Sequence, residues 1–215
     1  CNSILSSVFL KKYYEKLEAK RDVKYLYLTD SSVKIEQIIN GAVTNFTTAL
    51  QYPIHRWYYY KEGFSPILVE KLVKNISPKK ECTVIDPFCG GGTTPLVCMY
   101  QGIPSIGLEV NPFSSFLSKV KTRKYEKHDL ILFQKHIEKI KQFTSKARVS
   151  PPKISIIDKL FDSYILDELL LYKEYILGVN DDKIRDLLMF GWLAILEDLS
   201  NYRKAGKFRI YVIMV

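Results

Sequence analysis

The run VIDPFCGGGTT, Val84 to Thr94, decides how this chain is read. It passes from apolar, strand-forming residues into three consecutive glycines and then into a helix. Asp86 closes the strand. Gly90, Gly91 and Gly92 remove side chains where the backbone has to turn and come close to a ligand. Thr93 and Thr94 open the helix, whose first amides face an anion or a polar group. No Gly-Lys-Ser/Thr follows, and the spacing is not GxGxxG, so a nucleotide-phosphate site is disfavoured.

Outward from that run, CTVIDP is a continuous apolar stretch of the kind found in a parallel strand covered on both faces. TTPLVCMYQG reads as a helix ended by Gly102, PSIGLEV as a second strand, and NPFSSFLSKVKTRKY as a second helix. Strand and helix alternate with short connections, which points to an α/β parallel sheet. Upstream, SPILVEKLVKNI is a helix with proline in its first turn, and the aromatic-dense QYPIHRWYYYKEGF is an ordered functional loop. Residues 3–20 read as an amphipathic helix and VKYLYLT as a short strand. VKIEQIIN follows capping oxygens at Asp30, Ser31 and Ser32, with Gly41 as its stop. After Tyr125 the pattern turns helical: HDLILFQKHIEKIKQFTSKA, DSYILDELLLYKEYILG and DDKIRDLLMFGWLAILEDLSNYRKAG are three helices, with RVSPPK a linker between the first two. KFRIYVIMV is an apolar, β-prone tail and a third strand. The expected organisation is an N-terminal helix and connecting segment over 1–50, an α/β region over 51–125 and a helical region over 126–215.

Glu109 ends the second strand, seventeen residues beyond Gly92. A carboxylate there is placed to accept hydrogen bonds from two ribose hydroxyls, as in dinucleotide folds. The alternative is a surface carboxylate at a strand end; the glycine loop favours ribose.

The 215 residues, 47% of them hydrophobic, suffice for one core. The formal net charge of +9 favours an anionic partner, nucleic acid above all, or reflects a lysine-rich proteome. The basic residues are scattered, so charge alone locates no binding face. Cys1, Cys82, Cys89 and Cys98 form no CxxC pair and have no histidine at metal spacing, so no metal site is expected. Cys82 and Cys98 sit in apolar runs and read as small hydrophobes. No secretory segment and no membrane span is expected, and the chain reads as cytoplasmic. It opens on Cys1 rather than Met, which reads as a processed or trimmed piece.

DPFCGGGTT resembles motif I, the S-adenosylmethionine loop of DNA amino-methyltransferases, DPFxGxGTT. GLEVNPF resembles the motif II that follows it, and HRWYYYKEGFSPILVEKLV the motif X that precedes it. The resemblance implies a partial Rossmann-like methyltransferase sheet, with an N-terminal helical segment and a C-terminal helical insertion. It implies S-adenosylmethionine as cofactor: Asp86, Pro87, Phe88, Gly90 and Gly92 at its amino-acid end, with Thr93 opening the helix beside it. Glu109 is then on the ribose, Asn111 and Pro112 border the adenine, and Phe64 and Ser65 close over the methionine. Gly91 makes the loop GGG where the pattern needs GxG, which is compatible. His55, Arg56 and Trp57 fit the pattern too, either as a packing cluster or as part of the site.

Such enzymes also carry [DNS]PP[YFW] on a later strand. There a side-chain oxygen and a proline carbonyl orient the amino group of a base flipped out of the duplex, and the aromatic residue stacks on that base. The candidate here, SPPK at Ser150 to Lys153, has lysine in place of the aromatic residue and follows a polar stretch, so it reads as a linker turn. No catalytic residue is assigned. KLFDSYILDELLLYKEYI resembles part of an insertion between motif II and the catalytic motif. The expectation is the cofactor-binding part of a DNA methyltransferase for adenine N6 or cytosine N4, in a restriction-modification setting. It would act on DNA, paired with a second subunit or with itself, since an isolated half leaves sheet edge and face bare. Two alternatives stand: a non-catalytic DNA- or partner-binding module, and an RNA methyltransferase.

Overall fold

The structure, a computed structural model, describes residues 46–76, 82–145, 150–205 and 209–212. The expected helix at 3–20, the strand VKYLYLT and the helix VKIEQIIN lie outside the described residues.

Two short 3-10 helices, Phe46–Gln51 and His55–Trp57, lead into helix α1, Pro66–Ile76. Proline suits the first helical position because its missing N–H has no partner there in any case. Ser65 caps the helix: its Oγ accepts the Ile67 amide at 3.2 Å and the Thr48 hydroxyl at 2.6 Å. Val69 and Val73, one turn apart, bury against Val97 and Cys98 of α2, Thr93–Tyr100. Helix α2 joins strand β1, Val84–Asp86, to strand β2, Ser105–Gly107. The strands pair in parallel, Val84 opposite Ser105 and Asp86 opposite Gly107. Parallel neighbours need such a crossover, because a tight hairpin can only reverse the chain.

The strand pair is covered on one face. Gly107 fits closely under Cys89 and Pro95; an added Cβ there would lie 2.8 Å from Cys89 Sγ. The opposite face carries Ile85 and Ile106, paired in register and 42% and 51% exposed. The apolar run of CTVIDP suggested cover on both sides; alternate residues point to opposite faces, and among the described residues helices pack on only one of them, Ile85 and Ile106 on the other being about half exposed.

Helix α3, Pro112–Thr122, starts at Asn111, whose side chain accepts the Phe113 amide at 2.9 Å. Leu117 and Val120 bury against Leu187 and Phe190 of α7, Asp182–Leu199. Asp186 of α7 ties the same two helices together, accepting Arg123 at 2.9 Å and Lys119 at 3.2 Å. Helix α4, Lys127–Lys141, the short α5, Ile157–Leu160, and α6, Ser163–Leu177, complete the helical part. Ile176, Val179, Ile184 and Leu188 form a cluster backed by Leu132, Phe133, Ile137 and Ile140 of α4. Trp192 adds a hydrogen bond from Nε1 to the Leu169 carbonyl at 2.9 Å, locking α7 to α6.

The last helical pattern runs shorter than its sequence suggests. Helix α7 stops at Leu199, and Tyr202–Ala205 is strand β3, antiparallel to strand β4, Arg209–Val212, with Tyr202 opposite Val212. The β-prone tail thus finds its partner in Tyr202–Ala205, where the sequence pattern predicts helix. The described strands form two separate two-stranded sheets, β1–β2 and β3–β4. No helix among the described residues is long and apolar enough to cross a membrane.

Candidate functional site

At the carboxyl ends of β1 and β2 the backbone is stitched across by short hydrogen bonds. Asp86 O accepts the Leu108 amide at 2.8 Å, and Leu108 O accepts the Cys89 amide at 3.1 Å. Asp86 Oδ1 accepts the Phe88 amide at 3.0 Å, which folds the loop back over its own strand end. Glu109 completes the stitching. Its Oε2 accepts the Gly90 amide at 2.9 Å and its Oε1 the Asn111 amide at 2.8 Å. One carboxylate thus holds the glycine loop and the start of α3 together. Each of its oxygens has a second lone pair free for a further donor.

The glycines are demanded by conformation and by close packing. Gly90 and Gly92 hold φ of 49° and 87°, the left-handed region that side chains avoid. A Cβ on Gly92 would lie 2.6 Å from Ser118 Oγ and 2.9 Å from Ser118 Cα. Gly90 and Gly91 lie under the ring of Tyr60, which a Cβ on Gly91 would meet at 3.1 Å. The Tyr60 hydroxyl reaches Ser114 Oγ of α3 at 2.9 Å, so the aromatic loop is clamped to the glycine turn and to α3 at once.

The expected site residues fall into two groups. Asp86, Gly90, Glu109 and Asn111 are joined by the bonds above, with Pro87 and Phe88 exposed beside them; the Phe88 ring is 83% exposed. Pro112 opens α3 on the same side and is exposed. Phe64 and Thr93 line a separate small cavity of about 20 Å³, room for a single water, walled also by Tyr60, Gly91, His55 and Lys121. Ser65 is fully buried as the α1 cap and is not part of that wall. The HRW triplet is divided. His55 is buried and lines the cavity, Arg56 is exposed, and Trp57 packs edge-on against Phe190 at 6.1 Å between ring centres.

Sequence reasoning missed Tyr60, Ser114, Ser118 and Lys121. Lys121 looks like one more surface lysine in SKVKTRKY, yet it is 4% exposed. The available signal was spacing: Ser114, Leu117 and Lys121 lie at i, i+3 and i+7 and share the inward face of α3. Burial lowers the Lys121 ammonium to about 8. Burial, with the Lys121 charge behind it, lowers His55 to about 4, so its ring is neutral at pH 7. His55 Nε2 is buried with no hydrogen-bond partner among the described residues. Burial raises the Cys89 and Cys98 thiols, which keeps both protonated and unreactive. Among the described residues no group of three or more His, Cys, Asp or Glu is placed to hold a metal ion.

A parallel strand pair, a glycine turn into a helix after the first strand and an acid after the second define an α/β unit of the class that binds ligands outside its strand ends. Residues 10–119 match the N6/N4 DNA methylase family model, and the chain belongs to that family. It is 27% identical over 198 residues to the type II methyltransferase M.BsoBI of Geobacillus stearothermophilus, covering 88% of this chain and 36% of that protein. It is 25% identical over 181 residues to M.AvaI of Nostoc, covering 82% and 37%. With M.MjaII of Methanocaldococcus jannaschii it shares 37% identity over 113 residues, covering 52% and 21%. The chain therefore spans about a third of the length of the first two relatives. No solved structure matches it.

Proposed function

We propose that this chain is the S-adenosylmethionine-binding part of a DNA methyltransferase acting on adenine N6 or cytosine N4. The observation that carries this reading is the 2.9 Å bond from the Gly90 amide to Glu109. It brings the glycine loop and the strand-end acid into one place, as a nucleoside site between two strand ends requires. Glu109, with free lone pairs on both oxygens, would accept the ribose hydroxyls. Asn111 and Pro112 would border the adenine, and Asp86, Pro87, Phe88, Gly90, Gly92 and Thr93 would hold the amino-acid end with Phe64, while Ser65, buried as the α1 cap, would only support Phe64 from behind. The exposed ring of Phe88 and the His55 Nε2, which has no partner among the described residues, are groups that a ligand would cover or satisfy. When bound, the cofactor supplies a methyl group on a sulfonium centre. This chain's own part is to bind and orient it. Base positioning falls to a Pro-Pro-aromatic motif, and SPPK lacks the aromatic residue.

The bare Ile85 and Ile106 face supports association with a second methyltransferase polypeptide or with another copy of this chain. The net charge of +9 fits DNA as the substrate, and a cytoplasmic location fits a DNA-modifying protein. A second reading, a non-catalytic binding module of the same fold, draws on the Tyr60 ring, which lies against Gly90 and Gly91. Calorimetric titration with S-adenosylmethionine separates the two. Saturable one-to-one binding supports the first, and no heat of binding favours the module. Methyl transfer to duplex DNA, assayed with a polypeptide carrying the Pro-Pro-aromatic strand, then tests activity.

A further inference from the structure

We propose that the β3–β4 ribbon docks on the phosphate backbone of duplex DNA, with Arg203 and Arg209 as its principal contacts. This rests on the reading that the chain acts on DNA, not on the cofactor assignment, and it gives that reading a place on the molecule. The basic residues are scattered along most of the sequence, yet Asn201 to Val212 holds four of them, Arg203, Lys204, Lys207 and Arg209, and no acid. Four bases against no acid make this one stretch +4 of the chain's net +9. Strand pairing gathers the charge further. Arg203 stands opposite Tyr211, and Ala205 opposite Arg209. Opposed residues share a face of a ribbon, and every second residue along a strand returns to that face. The register therefore puts Arg203, Tyr211, Ala205 and Arg209 on one face, with the two arginine positions diagonal neighbours roughly 7–8 Å apart.

Arginine is the side chain best matched to phosphate, which its planar fork takes through two parallel hydrogen bonds. Tyrosine is a common further donor to a DNA backbone. A two-stranded ribbon is also narrow enough to enter the major groove. The base of this ribbon is fixed to the helical part. Leu160 O accepts the Asn201 amide at 2.8 Å and the Ser200 hydroxyl at 3.0 Å, and Asn201 Nδ2 donates to Asp162 Oδ1 at 3.1 Å. The Tyr202 amide donates to Ser200 Oγ at 3.1 Å as the chain enters β3. A basic element held at its base loses less freedom on binding than a free basic tail does. Among the described residues the ribbon pairs with no other strand. Basic residues that served only to keep a bare ribbon edge from pairing with another chain would leave DNA affinity untouched when removed.

The test is fluorescence anisotropy of a short labelled duplex titrated with the full chain over a range of salt concentrations. Arg203→Gln and Arg209→Gln should each weaken binding alike on duplexes of different sequence. Each should lower the slope of log affinity against log salt by about 1, and the pair together by about 2. Arg203→Lys with Arg209→Lys keeps both charges and should keep the slope. Lys135→Gln with Lys139→Gln, at exposed positions on α4, removes the same net charge elsewhere and should leave the slope nearly unchanged. A wild-type slope in the arginine-to-glutamine pair overturns the docking element and leaves the DNA reading standing. So does an equal change in the α4 pair, which would assign the effect to net charge. An arginine-to-lysine pair that loses as much as the glutamine pair also overturns it, since the loss would then come from the fold. Wild-type chain that binds no duplex at low salt removes the DNA reading and the docking element together, while the cofactor assignment is decided separately by its own titration.

Discussion

The Gly90 amide donates to Glu109 Oε2 at 2.9 Å, across nineteen positions of sequence, while Glu109 Oε1 takes the Asn111 amide at 2.8 Å. Glu109 thus has a structural task as well as a proposed ribose task. Gln at this position keeps the shape but has one oxygen and an NH2 group that cannot accept. Glu109→Gln leaves one of the two amides facing a donor and removes the charge. Hydrogen bonds to charged groups are worth about 1.5–3 kcal/mol each, so S-adenosylmethionine affinity should fall roughly 10- to 100-fold. Titration of the variant checks this; wild-type affinity would remove Glu109 from the ribose.

Gly92 and Gly102 both hold positive φ, 87° and 69°, but their surroundings differ. A Cβ on Gly92 would collide with Ser118, including its backbone, whereas one on Gly102 would meet nothing within 4 Å. Gly102→Ala should cost only the left-handed strain, about 1–2 kcal/mol. Gly92→Ala should cost that plus overpacking of about 1–3 kcal/mol more. Trimming Ser118 to Gly should not restore the Gly92 variant, because Ser118 Cα itself lies 2.9 Å from the added carbon. Urea midpoints of the three variants decide the matter; equal losses for the two single glycine variants would contradict the packing argument.

How far the sequence could be read follows from the range of the forces involved. The β1–α2–β2–α3 order was legible because strand, glycine turn, Asn111 cap and proline at a first helical position are local signals. The meeting of Gly90 with Glu109 was legible from chain order, since neighbouring parallel strands bring their ends together. The bare face of β1 was not, because an apolar run states that a strand can be covered, not what covers it. The register of β3 with β4 was missed for a related reason. NYRKAG continues the polar side of a helical pattern, and only pairing with Arg209–Val212 makes it a strand. Lys121 and Tyr60 were hidden in the site because their positions depend on contacts between distant segments.

Asp186 binds both Arg123 and Lys119 and is 18% exposed, while Arg123 is 21% exposed. The pair is mostly shielded from solvent, so breaking it should matter more than an exposed pair, which is worth about 0–1 kcal/mol. Asp186→Ala leaves the Arg123 guanidinium half-buried without its carboxylate, and we expect a loss of about 2 kcal/mol. Arg123→Met together with Asp186→Ala should cost less than the sum of the single changes. A double-mutant cycle by urea unfolding measures the coupling; strict additivity would show that the helices are held by Leu117, Val120 and Phe190 alone.

Ile106 sits mid-strand on the bare face of β2 with half its surface exposed. A charge there meets solvent rather than core, so Ile106→Asp should change monomer stability by no more than about 1 kcal/mol. The same charge would be buried and unpaired if a second polypeptide covers this face. Sedimentation of wild type and variant, alone and with the complementary methyltransferase polypeptide, should show association weakened at least about 10-fold in the variant. Undiminished association would place the interface elsewhere.

His55 gives the chain a definite pH response. Its pKa lies near 4, against an ordinary value of 6.5, because burial disfavours the imidazolium and the Lys121 ammonium repels it. Among the described residues its neighbours are Lys121, the edge-on ring of Tyr52 at 6.1 Å, and Tyr58, Tyr59 and Tyr60 of the cavity, with no carboxylate among them. Between pH 6.5 and 4 the unfolded chain binds a proton at His55 that the folded chain does not. Stability is therefore complete above pH 6.5 and falls as pH drops toward 4, by at most on the order of 3 kcal/mol from this residue. His55→Phe keeps an aromatic ring of similar size and removes the titration. Every other titrating group is common to both proteins, so the difference between their unfolding free energies isolates His55. That difference should shift in favour of His55→Phe as pH falls from 6.5 to 4 and stay flat above 6.5; parallel curves across the whole range would show that the His55 ring is not held neutral in the folded chain.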